Sequence, residues 1–458
     1  MTLAAFAVLL AATVAAYALN RMAAARIIAG GGRLHSLESF HGGFAALVVG
    51  LPVLVLLIVW LLAQGPVIDR MVMNGLPPGV LDGMDGGQRQ LVLTEISSVA
   101  RGQVFGEPEE WKLAAAERMV RLQGTSSLMM LAAAAILALG LLFYARSTVS
   151  AEFRARQGFE RIVNGLMIFC ALVAVFTTAG IVLALIFESI QFFRMVPVHE
   201  FLFGTRWEPQ IAIRADQVAG QGAFGWVPVI LGTVVVMVIA LVVAVPIGLL
   251  TAIYLNEFAS KRFRGWVKPV LEVLAGVPTI VYGFFAILVV APAVRSLGAS
   301  LGIDVSPTTA LVAGVVMAIM LIPFISSFAD DALTAVPRSL RDGSLALGAT
   351  RGETMMKVMF PAAIPGIVGG VLLAISRAIG ETMIVVLAAG IIAQMTINPL
   401  DSVTTVTVQI ITLLIGDTEF DNPKTLAAFA LGLMLFLVTL AINILALRIV
   451  RKYRELYD

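Results

Sequence analysis

Runs of about 20 predominantly apolar residues recur nine times along the chain, near 3–19, 44–63, 126–145, 162–187, 227–255, 269–293, 308–328, 362–393 and 425–449. Each is long enough to cross roughly 30 Å of hydrocarbon as a helix. A bilayer leaves no water for unpaired backbone groups, so only helices and closed barrels span it. The runs here are continuous and lack the alternation, over about ten residues, of barrel strands. The chain is therefore expected to be an all-α integral membrane protein, a polytopic bundle of about nine transmembrane helices. Composition agrees, with 59% hydrophobic and 13% charged residues.

Charge sets the orientation. Segment 20–41 carries Arg21, Arg26 and Arg33, and segment 146–161 carries Arg146, Arg154, Arg156 and Arg161. Lys261, Arg262, Arg264 and Lys268 fall between the fifth and sixth runs, and Arg448, Arg451, Lys452 and Arg454 end the chain. With nine spans all four basic segments lie on one side, which the positive-inside rule makes cytoplasmic. The N-terminus is then outside and the C-terminus cytoplasmic. A net charge of +2 gives no reason to expect nucleic acid as a partner. The single Cys170 excludes an intrachain disulfide, and no spacing of metal ligands stands out. In the external segment 64–125 the GLPPGVLDGMDGG run reads as turns and loop and 108–122 as helix, with Pro108 at its first position and Leu113, Ala116 and Val120 able to line one face, so the segment reads as a helical hairpin resting on the membrane or a neighbour.

Two charges interrupt the eighth run. Arg377 and Glu381 sit four residues apart in a sequence that is otherwise apolar from 362 to 393. An ionised residue at mid-bilayer costs roughly 2.5–3.5 kcal/mol even on insertion scales. At i and i+4 the two side chains share a helix face. Sixteen residues from Pro361 to Arg377 place the guanidinium about 24 Å along the helix. A guanidinium at that depth can hold an oxyanion through two parallel hydrogen bonds, with Glu381 neutralising it when no anion is present. The alternative is a structural ion pair tying two helices together. Ahead of this run, residues 329–361 form a charged loop. Pro337 can open a short helix ended by a left-handed Gly348, and RGETMMKVMF then leads into Pro361.

The spacing DGSLALG, nine residues, then VMFP resembles the cytoplasmic signature of bacterial ABC importer permeases, EAA–three residues–G–nine residues–I-x-L-P. Asp342, Gly343 and Ser344 take the EAA positions, Gly348 the glycine, and Val358, Phe360 and Pro361 the last motif, with Asp for Glu, both alanines changed, and Val and Phe for Ile and Leu. SRAIGETM at 376–383 resembles the R-A-L-G-E-T-M run of the phosphate-specific permeases, and LEVLAGVPTIVYGFF and FGWVPVILGT resemble further segments of that group. The resemblance covers about 161–458. It implies a six-helix permease domain at 161–458 behind an N-terminal extension at 1–160, with three transmembrane helices and the external loop 64–125. It also implies a coupling loop at 329–361 that docks on a separate ATP-hydrolysing subunit, and a substrate path lined by Arg377 and Glu381. The implied function is an inner-membrane permease for inorganic phosphate. The implied partners are a second homologous permease, two ATPase subunits that hold the ATP, an external phosphate-binding protein and the lipid bilayer. The chain itself would bind no cofactor and catalyse no reaction. It contains no G-x-x-x-x-G-K-[S/T] loop. Two alternatives stay open, a permease of the same fold for another oxyanion or solute and a secondary transporter needing no ATPase.

Overall fold

The computed structural model describes residues 2–78, 80–81, 84–103, 109–210, 222–415 and 422–454. Pro108 lies outside this set. Among the described residues nine helices are long and apolar enough to cross a membrane, the number expected from hydropathy. The chain divides into two compact units, Met1–Phe176 and Thr177–Asp458.

In the first unit α1 (Thr2–Ala29), α2 (Glu38–Met73) and α4 (Glu110–Ser147) pack together, with α3 (Gly86–Ala100) set between α2 and α4 in sequence. Their shared core is built from small and β-branched side chains, Ala16, Ala45, Val49, Val53, Ala134 and Ala138. Small residues let helices approach closely where the lipid supplies no hydrophobic drive. A second core joins the end of α2, α3 and the start of α4 through Ile68, Val72, Ile96, Ala115, Ala116 and Met119. Within 64–125 the structure adds a helix over 86–100 to the helix expected from 108. That helix, α3, starts on an Asp85–Gln88 capping box, and of the three residues read as sharing a face Ala116 is buried while Leu113 and Val120 are exposed.

The second unit begins within α5 (Ala155–Met195) and continues through α6 (Val198–Phe203) and a two-residue hairpin, β1 (Trp207–Glu208) with β2 (Ala223–Phe224). Next come α7 (Val227–Ile253), a π-helical turn over Tyr254–Phe258, and α8 (Lys261–Ala275). Here the structure corrects the sequence. Instead of one span over 269–293, Gly276 and Pro278 end an exposed helix, and the span runs from Thr279 to Ser300 as α9 (Thr279–Phe285), a π turn and α10 (Ala291–Ser300). The residue before a proline is driven out of the helical region, which fixes the break. The seventh span, α11 (Ala310–Ala335), opens on the Thr309 hydroxyl and extends seven residues into what reads as loop from 329.

Then follow α12 (Arg338–Ala346), α13 (Arg351–Thr354), a π turn over Met355–Met359 and α14 (Phe360–Ile379). After α14 come the short α15 (Met383–Ala388), α16 (Val406–Leu414) and α17 (Pro423–Arg454). The central core lies between α7, α11 and α14, with Ala240, Ala244, Val316, Met317, Leu321, Ala374 and Ala378 buried. At one end an edge-to-face cluster of Phe192, Phe201, Phe224 and Trp207, with ring centroids 5.5–6.1 Å apart, ties α5, α6 and the hairpin together.

Candidate functional site: a broken helix and the arm below it

The sequence places Arg377 and Glu381 on one continuous helix. The structure separates them. α14 stops at Ile379, Gly380 is its C-cap, and Glu381 lies in the turn before α15. The carboxylate of Glu381 is buried and accepts the backbone N–H groups of Met383 (3.1 Å) and Ile384 (3.4 Å). Those are orphan donors at the start of a helix, so the side chain caps α15. No ion pair joins Glu381 to Arg377 among the described residues, and the expected face-to-face pair is replaced by two groups with different partners. The reason is geometric. The i, i+4 relation holds only while the helix continues, and it ends between them.

Arg377 sits at the last turn of α14 on an exposed face. Its guanidinium carbon lies 5.6 Å from the ring centroid of Phe324, and one terminal nitrogen is 3.9 Å from the Met320 sulfur. Both neighbours belong to α11. A cation on an aromatic face is held without its charge being neutralised. The fork of N–H donors therefore stays available for an oxyanion.

Beyond Glu381 the backbone runs irregularly from 389 to 405, yet Ala389, Gly390 and Val403–Gln409 are buried. Non-helical backbone at membrane depth survives only inside protein or along a cavity. Here hydroxyls satisfy it. Thr407 donates to the Glu381 carbonyl (2.8 Å), Ser402 to Ala389 (2.9 Å), and the Val406 N–H to Thr233 (3.1 Å). Gln409 is the hub, donating to the Ile391 carbonyl and Thr404 hydroxyl and accepting from the Trp207 indole at 2.8 Å. Gly390 has φ +116, and a Cβ there would fall 2.2 Å from the Ser402 hydroxyl. The sequence signal for this layer is the SVTTVTVQ run at 402–409, between the eighth and ninth apolar runs.

The motif residues of 329–361 form a folded arm. Asp342, Gly343 and Ser344 lie on α12, which has no buried residue. The Ser344 hydroxyl meets Thr354 of α13 at 3.0 Å. Gly348 has φ +87, and its N–H reaches Leu345 while that of Ala349 reaches Ser344, the left-handed helix end read from the sequence. Thr350 and Glu353 then form a capping box for α13, a T-x-x-E signal the sequence reading passed over. Val358 and Phe360 are half-buried and Pro361 opens α14. The arm is pinned to the body by Arg341, 3.0 Å from Glu257 in the π turn after α7. The neighbouring Asn256 donates to Asp330 on α11, and Asp330 also takes Arg264 (2.9 Å) and Lys268 (3.1 Å) from α8. Lys268 thus pairs with Asp330 and not with Glu272, four residues further along α8.

The apolar helices, the end of α14 at Ile379 and the exposed arm of short helices define a polytopic all-α membrane protein. Residues 244–455 match the family described as binding-protein-dependent transport system inner membrane component, and residues 6–177 the family described as phosphate ATP-binding cassette transporter. Probable ABC transporter permease protein YqgH of Bacillus subtilis is 33% identical over 282 residues, covering 60% of this chain and 87% of that protein. Phosphate transport system permease protein PstC of Haemophilus influenzae is 31% identical over 329 residues, covering 67% and 98%. PstC of Pasteurella multocida is 30% identical over 311 residues, covering 62% and 90%. The chain belongs to the ABC importer permease family that includes the PstC proteins, and it is an integral inner-membrane protein.

Proposed function

We propose that the chain is the permease subunit through which inorganic phosphate crosses the membrane in an ATP-driven importer. The observation that carries this is Arg377, a guanidinium about 24 Å along a membrane helix. It rests on a ring and a sulfur and has no carboxylate partner among the described residues. An exposed arginine at that depth faces water or another subunit, since lipid contact would be too costly. Two parallel N–H···O bonds suit a phosphate oxyanion there. Glu381 contributes to the path through position, by fixing the start of α15 just beyond the arginine.

The names of the relatives support phosphate as the solute, and the arm supports the drive. α12 presents Asp342 and Gly343 to solvent, with Leu347 at its end 91% exposed. An apolar side chain so placed fits a groove on a separate ATP-hydrolysing subunit, where the ATP would bind. The remaining partners in this reading are a second, PstA-like permease, a second ATPase copy and an external phosphate-binding protein. The positive-inside count puts the arm and the C-terminus in the cytoplasm and the N-terminus outside. Residues 1–160 form an extension outside the six-helix permease domain in this reading. Replacing Arg377 with Gln is expected to abolish phosphate uptake while assembly and ATP hydrolysis persist. Normal uptake by that variant would overturn the role, and parallel assays with sulfate and molybdate test the choice of anion.

A further inference from the structure

α8 is amphipathic in the inverse sense to a helix on a soluble protein. Its charged residues Arg264 and Lys268, one turn apart, point into the unit and bind Asp330 of α11 at 2.9 and 3.1 Å. On the other side Phe263 meets the ring of Tyr254 edge-on at 6.1 Å, and Trp266, Val270 and Val273 follow at helical spacing, Trp266 79% and Val273 72% exposed. None of its 15 residues is buried. Behind it lies a cavity of about 230 Å³ lined by Leu255, Leu271, Phe324 and Phe328. The Asp330 ion pairs hold the helix to α11, joined near its C-terminal end by Leu274, which packs against the central core.

Its depth is set by its neighbours. α8 joins the span Val227–Phe258 to the span Thr279–Ser300 with only two or three residues on either side. At about 22 Å it is too short to cross, so it lies along one membrane surface. The unpaired face must therefore meet either acyl chains or another subunit. Charge decides between them. Lys261 and Arg262 are exposed at the N-terminal end of the helix and have no carboxylate partner among the described residues. A basic end, a tryptophan and an aliphatic face are the features that seat a helix at headgroup depth on anionic lipid.

We propose that α8 is an interfacial helix embedded in the cytoplasmic leaflet, with Trp266 at headgroup depth and Lys261 and Arg262 on anionic headgroups. Lipid then holds the helix from one side while Asp330 holds it from the other. The Asn256–Asp330 and Arg341–Glu257 contacts place this anchored point directly behind the arm. The inference is independent of which solute is carried.

The test uses the transporter as isolated from its membrane, reconstituted in phosphatidylcholine vesicles whose acyl chains carry bromine near the headgroup. Wild-type fluorescence should contain a quenched component that is missing from Trp266→Phe, the other four tryptophans being common to both. Equal quenching in the two proteins would place Trp266 against a second subunit and overturn the proposal. In a second arm, phosphatidylglycerol added to unbrominated vesicles should raise the melting temperature of the wild type and leave a Lys261→Gln/Arg262→Gln variant unmoved. Equal shifts in both would overturn the headgroup contacts.

Discussion

Glu381 commits its carboxylate to the backbone, and that changes what its loss would do. Glu381→Ala leaves the N–H groups of Met383 and Ile384 without their acceptor inside the protein. A lost helix cap costs about 1 kcal/mol, so the variant should unfold at a lower temperature than wild type. Glu381→Gln keeps a carbonyl in the same place and should stay within about 0.5 kcal/mol, because the amide oxygen can accept the same bonds. Thermal unfolding of the two variants side by side checks this, and equal destabilisation would mean the charge matters more than the acceptor. The existence of the charged pair was legible from residue type alone, since two ionisable residues stand out in any apolar run. Their relation was not. Nothing local announces the end of α14 at Ile379 except Gly380, a residue membrane helices commonly tolerate, so four-residue arithmetic continued across a break. Met320 and Phe324, the neighbours of Arg377, lie more than fifty residues upstream and are brought in only by the packing of α11 on α14.

At the scale of elements, the arm depends on one backbone conformation. Gly348 at φ +87 turns the chain from α12 to α13, with open space around the position of its absent Cβ. Gly348→Ala therefore meets no clash and is opposed only by the left-handed backbone, at about 1 kcal/mol. The fold should survive with little change in melting temperature, while uptake falls because the direction of α12 relative to α13 is no longer fixed. Unchanged uptake would show that the arm tolerates a loose elbow. Pro337 and Gly348 marked this element in the sequence because both act locally, on their own φ angles. The division between α8 and the span after it was less visible, since hydropathy averages Val270, Val273 and Leu274 together with the true span. Gly276 and Pro278 mark the boundary. The last turns of α11 were hidden for the opposite reason. Asp330 looks like loop until Asn256, Arg264 and Lys268 are seen to satisfy it.

For the molecule as a whole, each unit carries its own cores. The clusters of the first unit draw on residues up to Ala145, and those of the second begin at Phe192. Deleting residues 1–145 is therefore expected to leave uptake at least partly intact. Complete loss with the remaining spans stably inserted would assign the N-terminal unit an obligatory part. The count of nine spans was readable because bilayer thickness imposes one length on every crossing. Their ends were not, since α2, α4 and α5 each continue well past the apolar run as 36, 38 and 41 residues of helix. One joint stands between the arm and the arginine. The π turn over Met355–Met359 lies between α13 and α14, and such a turn contains one residue more than an α-helix needs for the same rise. That spare residue is slack. Exchanging one hydrogen bond for the next shifts the wide turn along the chain, so α13 can rotate against α14 while the turn bearing Arg377 keeps its shape.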